Sequence, residues 1–164
     1  MHCIVYDKIR IDFIPGIEYN TSVKKYKIVI GTNVFVSALK SRNGFSYKLM
    51  SLIDDDRFEV SISVPLILEY EDAAKRNKSN IKLTKADIDD ILDYICLSSQ
   101  KRKIFYLWRP FLKDLKYDMI LELAVESECD YIISFNNNDF VGIEKFGLRL
   151  LTPKEFLKII GEIE

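Results

Sequence analysis

The chain has 164 residues, a length that suits one compact domain with a sizeable core. Hydrophobic residues make up 48% and charged residues 30%, which is typical of globular proteins and excludes a disordered chain. The 24 basic and 25 acidic side chains nearly cancel, so the overall charge gives no reason to expect a nucleic acid or a membrane as partner, although a local basic patch is compatible with it.

Histidine and cysteine chemistry finds little support in the composition. The single histidine is His2, which argues against a Ser-His-Asp triad, a zinc-binding helix and a histidine general base. Cys3, Cys96 and Cys129 form no Cys-x-x-Cys pair, and scattered thiols favour a reducing, cytoplasmic location. No apolar run approaches membrane-spanning length, and the first residues lack a signal-peptide pattern. Any chemistry is therefore expected to use carboxylates, hydroxyls, amides or lysines, with or without a hard metal ion.

The segment before Lys27 differs from the rest of the chain. Short strands are predicted at residues 4–6 and 9–14, with a Pro15-Gly16 turn after them and a polar stretch at 18–25. We interpret residues 1–26 as an N-terminal extension, either a short hairpin or the product of a start codon assigned too early.

From Lys27 onward, strands alternate with helices. The predicted elements are, in chain order, a strand at 27–30, helices at 33–40 and 45–53, a strand at 58–62, helices from 65 to about 75 and from 84 to about 97, a strand at 103–107, a helix at 118–128, strands at 131–135 and 148–151, and a final helix from 153. Capping-box patterns at Thr84 and Thr152 support two of the helix starts. The alternation predicts an α/β fold with a mainly parallel sheet, and residues 27–164 as one domain.

Polar residues follow two of the predicted strands. Thr32 and Asn33 follow the first strand, and residues 136–139 follow the strand at 131–135. Ligands bind beyond the carboxyl ends of strands in open parallel sheets, so both places are candidate sites, although Asn and Asp also suit plain turns.

Carboxylates near these strand ends are candidate metal ligands. Glu69 lies on or beside the apolar stripe of its helix, where a charge needs a partner or a metal, or else reaches water or a lysine. Asp118 is a candidate helix cap as well as a candidate ligand. Together with Asp114 or Asp118, and with Asp139, Glu69 would resemble an all-oxygen site for Mg²⁺ or Mn²⁺.

A local concentration of basic and aromatic residues lies between residues 101 and 116. Its members are Lys101, Arg102, Lys103, Phe105, Tyr106, Trp108, Arg109, Lys113 and Lys116. Cations mixed with aromatics suit single-stranded nucleic acid, and the alternative is a solvated face beside a buried strand.

The blocks at 27–39, 63–70, 109–114, 131–136, 138–140 and 152–157 carry a resemblance to a known family. In their order and spacing, the chain from Lys27 to about Ile160 resembles PIN domains, specifically the toxin components of toxin-antitoxin systems. The resemblance implies a three-layer α/β/α sandwich and metal-dependent endoribonuclease activity with Mg²⁺ or Mn²⁺. It further implies RNA as substrate, an antitoxin protein as partner and a homodimer.

The family's acidic positions are only partly kept. The resemblance implies that Glu69 and Asp139 are catalytic metal ligands and that Thr32 and Asn33 line the site. Gly31 occupies the position of the family's first aspartate, and Tyr117 that of the third acid, for which the adjacent Asp118 is the candidate substitute.

Three interpretations therefore stay open at the level of sequence. The chain is a working ribonuclease that uses Glu69, Asp118, Asp139, Thr32 and Asn33, a PIN domain that binds RNA or an antitoxin without cleavage, or the product of a decaying toxin gene. Arg102, Arg109 and Lys113 are candidate RNA-binding residues.

Overall fold

A computed structural model describes residues 24–105, 107 and 109–164. The strands predicted at 4–6 and 9–14 therefore lie outside the described residues. None of the helices in the described part of the chain combines the length and apolar composition needed to cross a bilayer.

The described residues form five strands and six α-helices. The strands are β1 (Tyr26–Ile30), β2 (Phe58–Ile62), β3 (Gln100–Lys101), β4 (Tyr131–Ile133) and β5 (Arg149–Leu151). The helices are α1 (Thr32–Lys40), α2 (Phe45–Met50), α3 (Val64–Arg76), α4 (Lys85–Ser98), α5 (Leu115–Glu126) and α6 (Pro153–Ile159). Short 3₁₀ helices occupy Lys78–Asn80, Asn137–Asp139 and Ile143–Phe146.

The strands form one sheet in the order β3-β2-β1-β4-β5, and every neighbouring pair is parallel. This confirms the predicted α/β fold, in which helices flank a parallel sheet as an α/β/α sandwich. Ile28, Val29 and Ile30 of β1 are all buried, as expected where helices cover both faces of a central strand. The chain runs outward from β1 to β3 on one side and returns to β4 on the other, so β1 and β4 flank a topological switch point.

Local sequence signals explain most of the helix boundaries. Thr84 and Thr152 each form a capping box, with Asp87 and Glu155 respectively, which confirms both predicted starts. Ser63 caps α3, and its hydroxyl accepts a hydrogen bond from the Leu66 N–H.

The strand predicted at 103–107 is wrong. The strand lies earlier, at Gln100–Lys101, and pairs with the end of β2. Phe105 and Leu107 are 74% and 67% exposed and do not face the core, whereas Ile104 between them and the strand packs against it. Two or three alternating apolar residues occur in surface segments as well as in strands. A pattern this short therefore does not distinguish the two.

Other boundaries also differ from the predictions, and the helix predicted at 45–53 already ends at Met50. The helix predicted from Asp118 begins at Leu115 and is capped by Asp114, whose carboxylate accepts a hydrogen bond from the Lys116 N–H at 3.1 Å. Asp118 is therefore not the N-cap but lies inside the first turn. The strand predicted at 131–135 ends at Ile133, because the chain turns at the polar residues that follow.

An ion-pair network ties the C-terminal end of the chain to the loop before β2. The Arg57 guanidinium donates to both carboxylate oxygens of Asp55, at 2.8 and 2.7 Å, to Glu162 at 2.9 Å and to the Ile160 carbonyl at 3.0 Å. Hydrogen bonding to Arg57 lowers the pKa of the Asp55 and Glu162 carboxyl groups. The network therefore holds the segment after α6 against the rest of the domain.

Arg57→Met is expected to lower the melting temperature at pH 7 by about 2–4 °C, because the two carboxylates lose their shared partner. The pKa values of Asp55 and Glu162 are lowered in the folded protein. The stability that Arg57 contributes is therefore fully present above the ordinary carboxyl pKa of about 4, and it is lost as the pH falls through the lowered pKa values of the folded state. Urea titrations of both proteins at pH 7 and near pH 3 check this, with the difference shrinking at the lower pH. Lys82→Met, at an exposed lysine, serves as the control. A difference that is unchanged at low pH would argue against the carboxylate pairs.

Candidate functional site

The candidate site begins where β1 and β4 end side by side. The Gly31 N–H donates to the Ile133 carbonyl at 2.8 Å, which fixes the two strand ends against each other. Asn33, in the first turn of α1, donates from Nδ2 to the Ser134 hydroxyl at 3.0 Å. Asn33 and the residues that follow β4 thus meet at one edge of the sheet.

Uncharged hydrogen bonds extend this contact toward α5. The Asn136 N–H donates to the Ser134 hydroxyl at 3.2 Å, and Asn136 Nδ2 donates to the Tyr117 hydroxyl at 2.7 Å. The Tyr117 ring also packs on Phe140, with ring centres 5.2 Å apart. The edge of the sheet therefore carries amide, hydroxyl and phenol groups where a metal site would need several carboxylates.

A groove of about 590 Å³ opens between α1, α3 and α5 beside this network. The side chains that line it are Thr32, Asn33, Val36, Ser37, Lys40, Ser41, Glu69, Ala73, Arg76, Asn77, Lys116, Tyr117, Ile120 and Phe135. We call it the α1–α3–α5 groove. Helical spacing explains the lining, because positions 33, 37 and 40 share one face of α1 and positions 69, 73 and 76 share one face of α3.

Glu69 is the sole carboxylate among the side chains that line this groove. Its Oε1 accepts a hydrogen bond from Arg76 Nη2 at 2.7 Å, and its side chain is 26% exposed. As predicted, Leu66, Tyr70, Ala73 and Ala74 form the buried stripe of α3, and Glu69 lies beside it. A charge next to a packed face is compensated here by the arginine two turns further along the helix.

Positive charge dominates the groove. Lys40, Arg76 and Lys116 line it with Glu69, so three cations face one carboxylate. Lys40 makes no ion pair with any residue that the structure describes. Lys116 pairs with Asp114 at 2.9 Å and lies over the Tyr117 ring at 4.8 Å from its centre.

Asp118 and Asp139 are placed apart from the groove. Asp118 is fully buried, and its Oδ1 accepts a hydrogen bond from the Leu112 N–H at 2.9 Å, so its carboxylate holds the loop before α5. One residue along a helix turns the side chain by about 100°, which explains why Tyr117 faces the groove and Asp118 does not. Asp139 ends a 3₁₀ helix and is not among the groove residues.

The residues present do not fit the divalent ion that the resemblance implies. Within the described ranges, no three acidic, histidine or cysteine side chains are grouped so that they could hold a metal ion. Gly31 has no side chain that could bind an ion. The Tyr117 hydroxyl accepts a hydrogen bond from the Asn136 side-chain amide, and the Glu69 carboxylate accepts one from Arg76. The assignment of Glu69, Asp118 and Asp139 as ligands stays a prediction from the resemblance, and we derive no reaction step from it.

The three candidate RNA-binding residues are not among the groove residues. Arg109 is engaged with Glu122 through two hydrogen bonds of 3.1 Å. Arg102 and Lys113 are exposed, on the segment between β3 and α5. Their contact with RNA stays a prediction.

Lys40, Arg76 and, as a hydrogen-bonding group, Tyr117 were not predicted from the sequence to take part in the site, whereas Asn136 belongs to the predicted polar loop at 136–139. Helical spacing carried a signal for two of them, because Lys40 is seven residues after Asn33 and Arg76 seven residues after Glu69. The approach of Asn136 to Tyr117 joins residues 19 positions apart and has no local signal.

Comparisons with known proteins agree with this fold. Residues 27–138 match the PIN domain family. The chain is also similar to an uncharacterized protein of Methanocaldococcus jannaschii, with 29% identity over 143 residues that cover 82% of this chain and 91% of the relative. Since the family match spans more than half of the chain and the parallel sheet has the expected form, the chain belongs to the PIN domain family.

Proposed function

We propose that this PIN domain binds RNA without metal-dependent cleavage. The observation that carries the proposal is the chemistry of the sheet edge, where Gly31 and Tyr117 stand at two of the expected acid positions and Tyr117 is hydrogen-bonded to the Asn136 amide. A hard divalent cation is held by oxygen ligands that include carboxylates, and no group of three acidic, histidine or cysteine side chains suited to a metal ion is found among the described residues. Cleavage that depends on a divalent ion is therefore not expected, whereas RNA binding does not require a metal ion.

The groove beside this edge retains features that suit a nucleic acid. Its lining combines cations with the aromatic side chains Tyr117 and Phe135, and Phe135 is 48% exposed. Aromatic faces stack on bases, and cations contact the phosphate backbone. These features favour binding over the third interpretation, a decayed gene with no retained site.

The finer parts of the family resemblance remain proposals. A role as toxin in a toxin-antitoxin system, an antitoxin partner, a homodimer and a cytoplasmic location are expectations from the sequence. Mg²⁺- or Mn²⁺-dependent cleavage by Glu69, Asp118 and Asp139 is the expectation that the resemblance implies, and the proposed binding without cleavage takes its place.

The natural protein is expected to bind single-stranded RNA equally well in EDTA and in Mg²⁺, and to leave the RNA intact. Fluorescence anisotropy with a labelled oligoadenylate measures the binding, and gel analysis after incubation with Mg²⁺ or Mn²⁺ measures cleavage. A double-stranded DNA of the same length is the control ligand. Metal-dependent cleavage by the natural protein, or no binding of RNA, would contradict the proposal.

A further inference from the structure

We infer that the α1–α3–α5 groove contacts the phosphodiester backbone directly through Lys40, Arg76 and Lys116, and that Glu69 weakens this binding by occupying Arg76. The inference rests on the proposed RNA binding and specifies where the RNA lies and what limits its affinity. It assigns Glu69 a role opposite to that of a metal ligand, since a ligand supports binding and a competitor reduces it.

The cations are spread along the groove rather than gathered at one point. Lys116 lies in the first turn of α5, beside Tyr117 and the sheet edge. Lys40 ends α1, about 10 Å along the helix axis from Asn33 at 1.5 Å per residue. Arg76 likewise ends α3. One cation near the sheet edge and two at the C-terminal ends of their helices suit an extended polyanion, whereas a single ion needs its ligands around one point.

The three cations differ in their freedom to contact a phosphate. Lys40 is exposed and has no ion pair with the described residues, so its charge is open to a ligand. Lys116 pairs with Asp114, whose side chain is 44% exposed and is not among the groove residues. Arg76 pairs with Glu69 inside the groove itself. A phosphate that approaches Arg76 must therefore displace a carboxylate and also approach its negative charge.

An arginine guanidinium binds a phosphate and a carboxylate with the same donors, so the two compete. Removal of the Glu69 charge frees these donors and removes a repulsion. The Glu69→Gln side chain keeps nearly the same shape and still offers Arg76 a neutral acceptor, which separates the loss of charge from the loss of packing.

A matched control lies on the same helix. Glu71 pairs with Lys75 at 2.6 Å, and neither residue is among those that line the groove. Glu71→Gln therefore makes the same change in net charge, on the same helix and within another carboxylate–cation pair, away from the groove. A general electrostatic effect would appear in both variants, and release of Arg76 only in Glu69→Gln.

The experiment is a salt titration of RNA affinity in EDTA, with a labelled oligoadenylate of about 10 nucleotides as probe. Glu69→Gln is expected to bind about 3–10-fold more tightly than the natural protein, with a steeper plot of log affinity against log salt, by about 0.7, because one more phosphate is neutralised. Lys40→Gln and Lys116→Gln are expected to bind more weakly, each with a slope shallower by about 0.7. Glu71→Gln and the distant Lys154→Gln are expected to differ little from the natural protein.

Circular dichroism melts establish that each variant is folded before its affinity is read. Equal binding by Glu69→Gln, Glu71→Gln and the natural protein, with no effect of the lysine variants, would overturn the inference and leave RNA binding elsewhere on the protein intact. Loss of a metal-dependent cleavage in Glu69→Gln would instead contradict the proposed function and identify Glu69 as a ligand. Tighter binding in that variant supports the competition, and RNA that stays intact in Mg²⁺ with both the natural protein and Glu69→Gln argues against the metal role.

Discussion

The double variant Gly31→Asp, Tyr117→Asp is expected to bind Mn²⁺ in a calorimetric titration in which the natural protein gives no binding heat. Residue 31 follows β1 and lies beside Asn33 and Ser134, and position 117 lines the groove together with Glu69. The two changes therefore place three carboxylates around one edge of the sheet. Several carboxylate oxygens are what a hard divalent ion requires, and the added charge also gives Arg76 and Lys116 more than one acceptor.

The same variant is expected to be less stable than the natural protein by about 2–4 kcal/mol. Gly31 has φ −71° and ψ 151°, which any residue adopts, but a Cβ added there would lie 3.2 Å from the Ile133 carbonyl oxygen and 3.3 Å from Asn33 Oδ1. At position 117, the contact with Phe140 and the hydrogen bond from Asn136 are lost. Thermal melts with and without Mn²⁺ measure both effects, because an ion that binds only the folded state raises the melting temperature.

Gly31→Asn, Tyr117→Asn is the matched control, since asparagine has the shape of aspartate without its charge. It is expected to be destabilised to a similar extent and to gain no Mn²⁺ binding. Equal Mn²⁺ binding by the natural protein and the aspartate variant would show that the natural ligand set is adequate. Equal binding by the asparagine variant would show that the new carboxylates are not the ligands.

Arg109→Met is expected to lower the free energy of unfolding by about 2–4 kcal/mol, because it removes two hydrogen bonds and a positive charge from a buried carboxylate. The guanidinium contacts both carboxylate oxygens of Glu122 at 3.1 Å, and the Glu122 side chain has no exposed surface. Arg109 was a candidate for RNA contact, but this geometry gives it a structural role. Urea denaturation measures the loss, and RNA affinity of the folded protein is expected to change less than in Lys40→Gln.

The double variant Arg109→Met, Glu122→Leu distinguishes loss of the pair from loss of packing. Replacing both members of a buried ion pair by apolar residues costs less than breaking the pair, so this protein is expected to be more stable than Arg109→Met alone. If Arg109→Met keeps the natural stability but loses RNA binding, the arginine acts on RNA and not on the fold.

Much of the fold follows from short-range patterns in the chain. The β-branched run at 28–30 is followed by Gly31, and its residues are buried in β1 as predicted. The capping boxes at Thr84 and Thr152 mark helix starts that the structure shares. These features involve residues within about one turn of each other, so steric preference and local hydrogen bonds are enough to specify them.

The segment around 103–107 shows where such patterns fail. Its apolar residues suggested a strand, yet Phe105 and Leu107 are exposed and the paired residues are Gln100 and Lys101. Pairing with the end of β2 selects the strand here, and that choice depends on a partner about 40 positions earlier in the chain. Periodicity contains no information about such a partner.

Some features of the candidate site are likewise visible in the sequence, and others depend on the tertiary structure. The absence of a carboxylate at position 31 and the aromatic ring at position 117 are visible in the residues themselves. The pairing of Glu69 with Arg76, the burial of Asp118 and the bond between Asn136 and Tyr117 depend on how α1, α3 and α5 pack around the ends of β1 and β4. Residue identity thus established which carboxylates are missing from the candidate site. The packing of distant elements established that cations and neutral groups lie there instead, because charges and hydrogen-bonding groups interact according to their distance in three dimensions and not their separation along the chain.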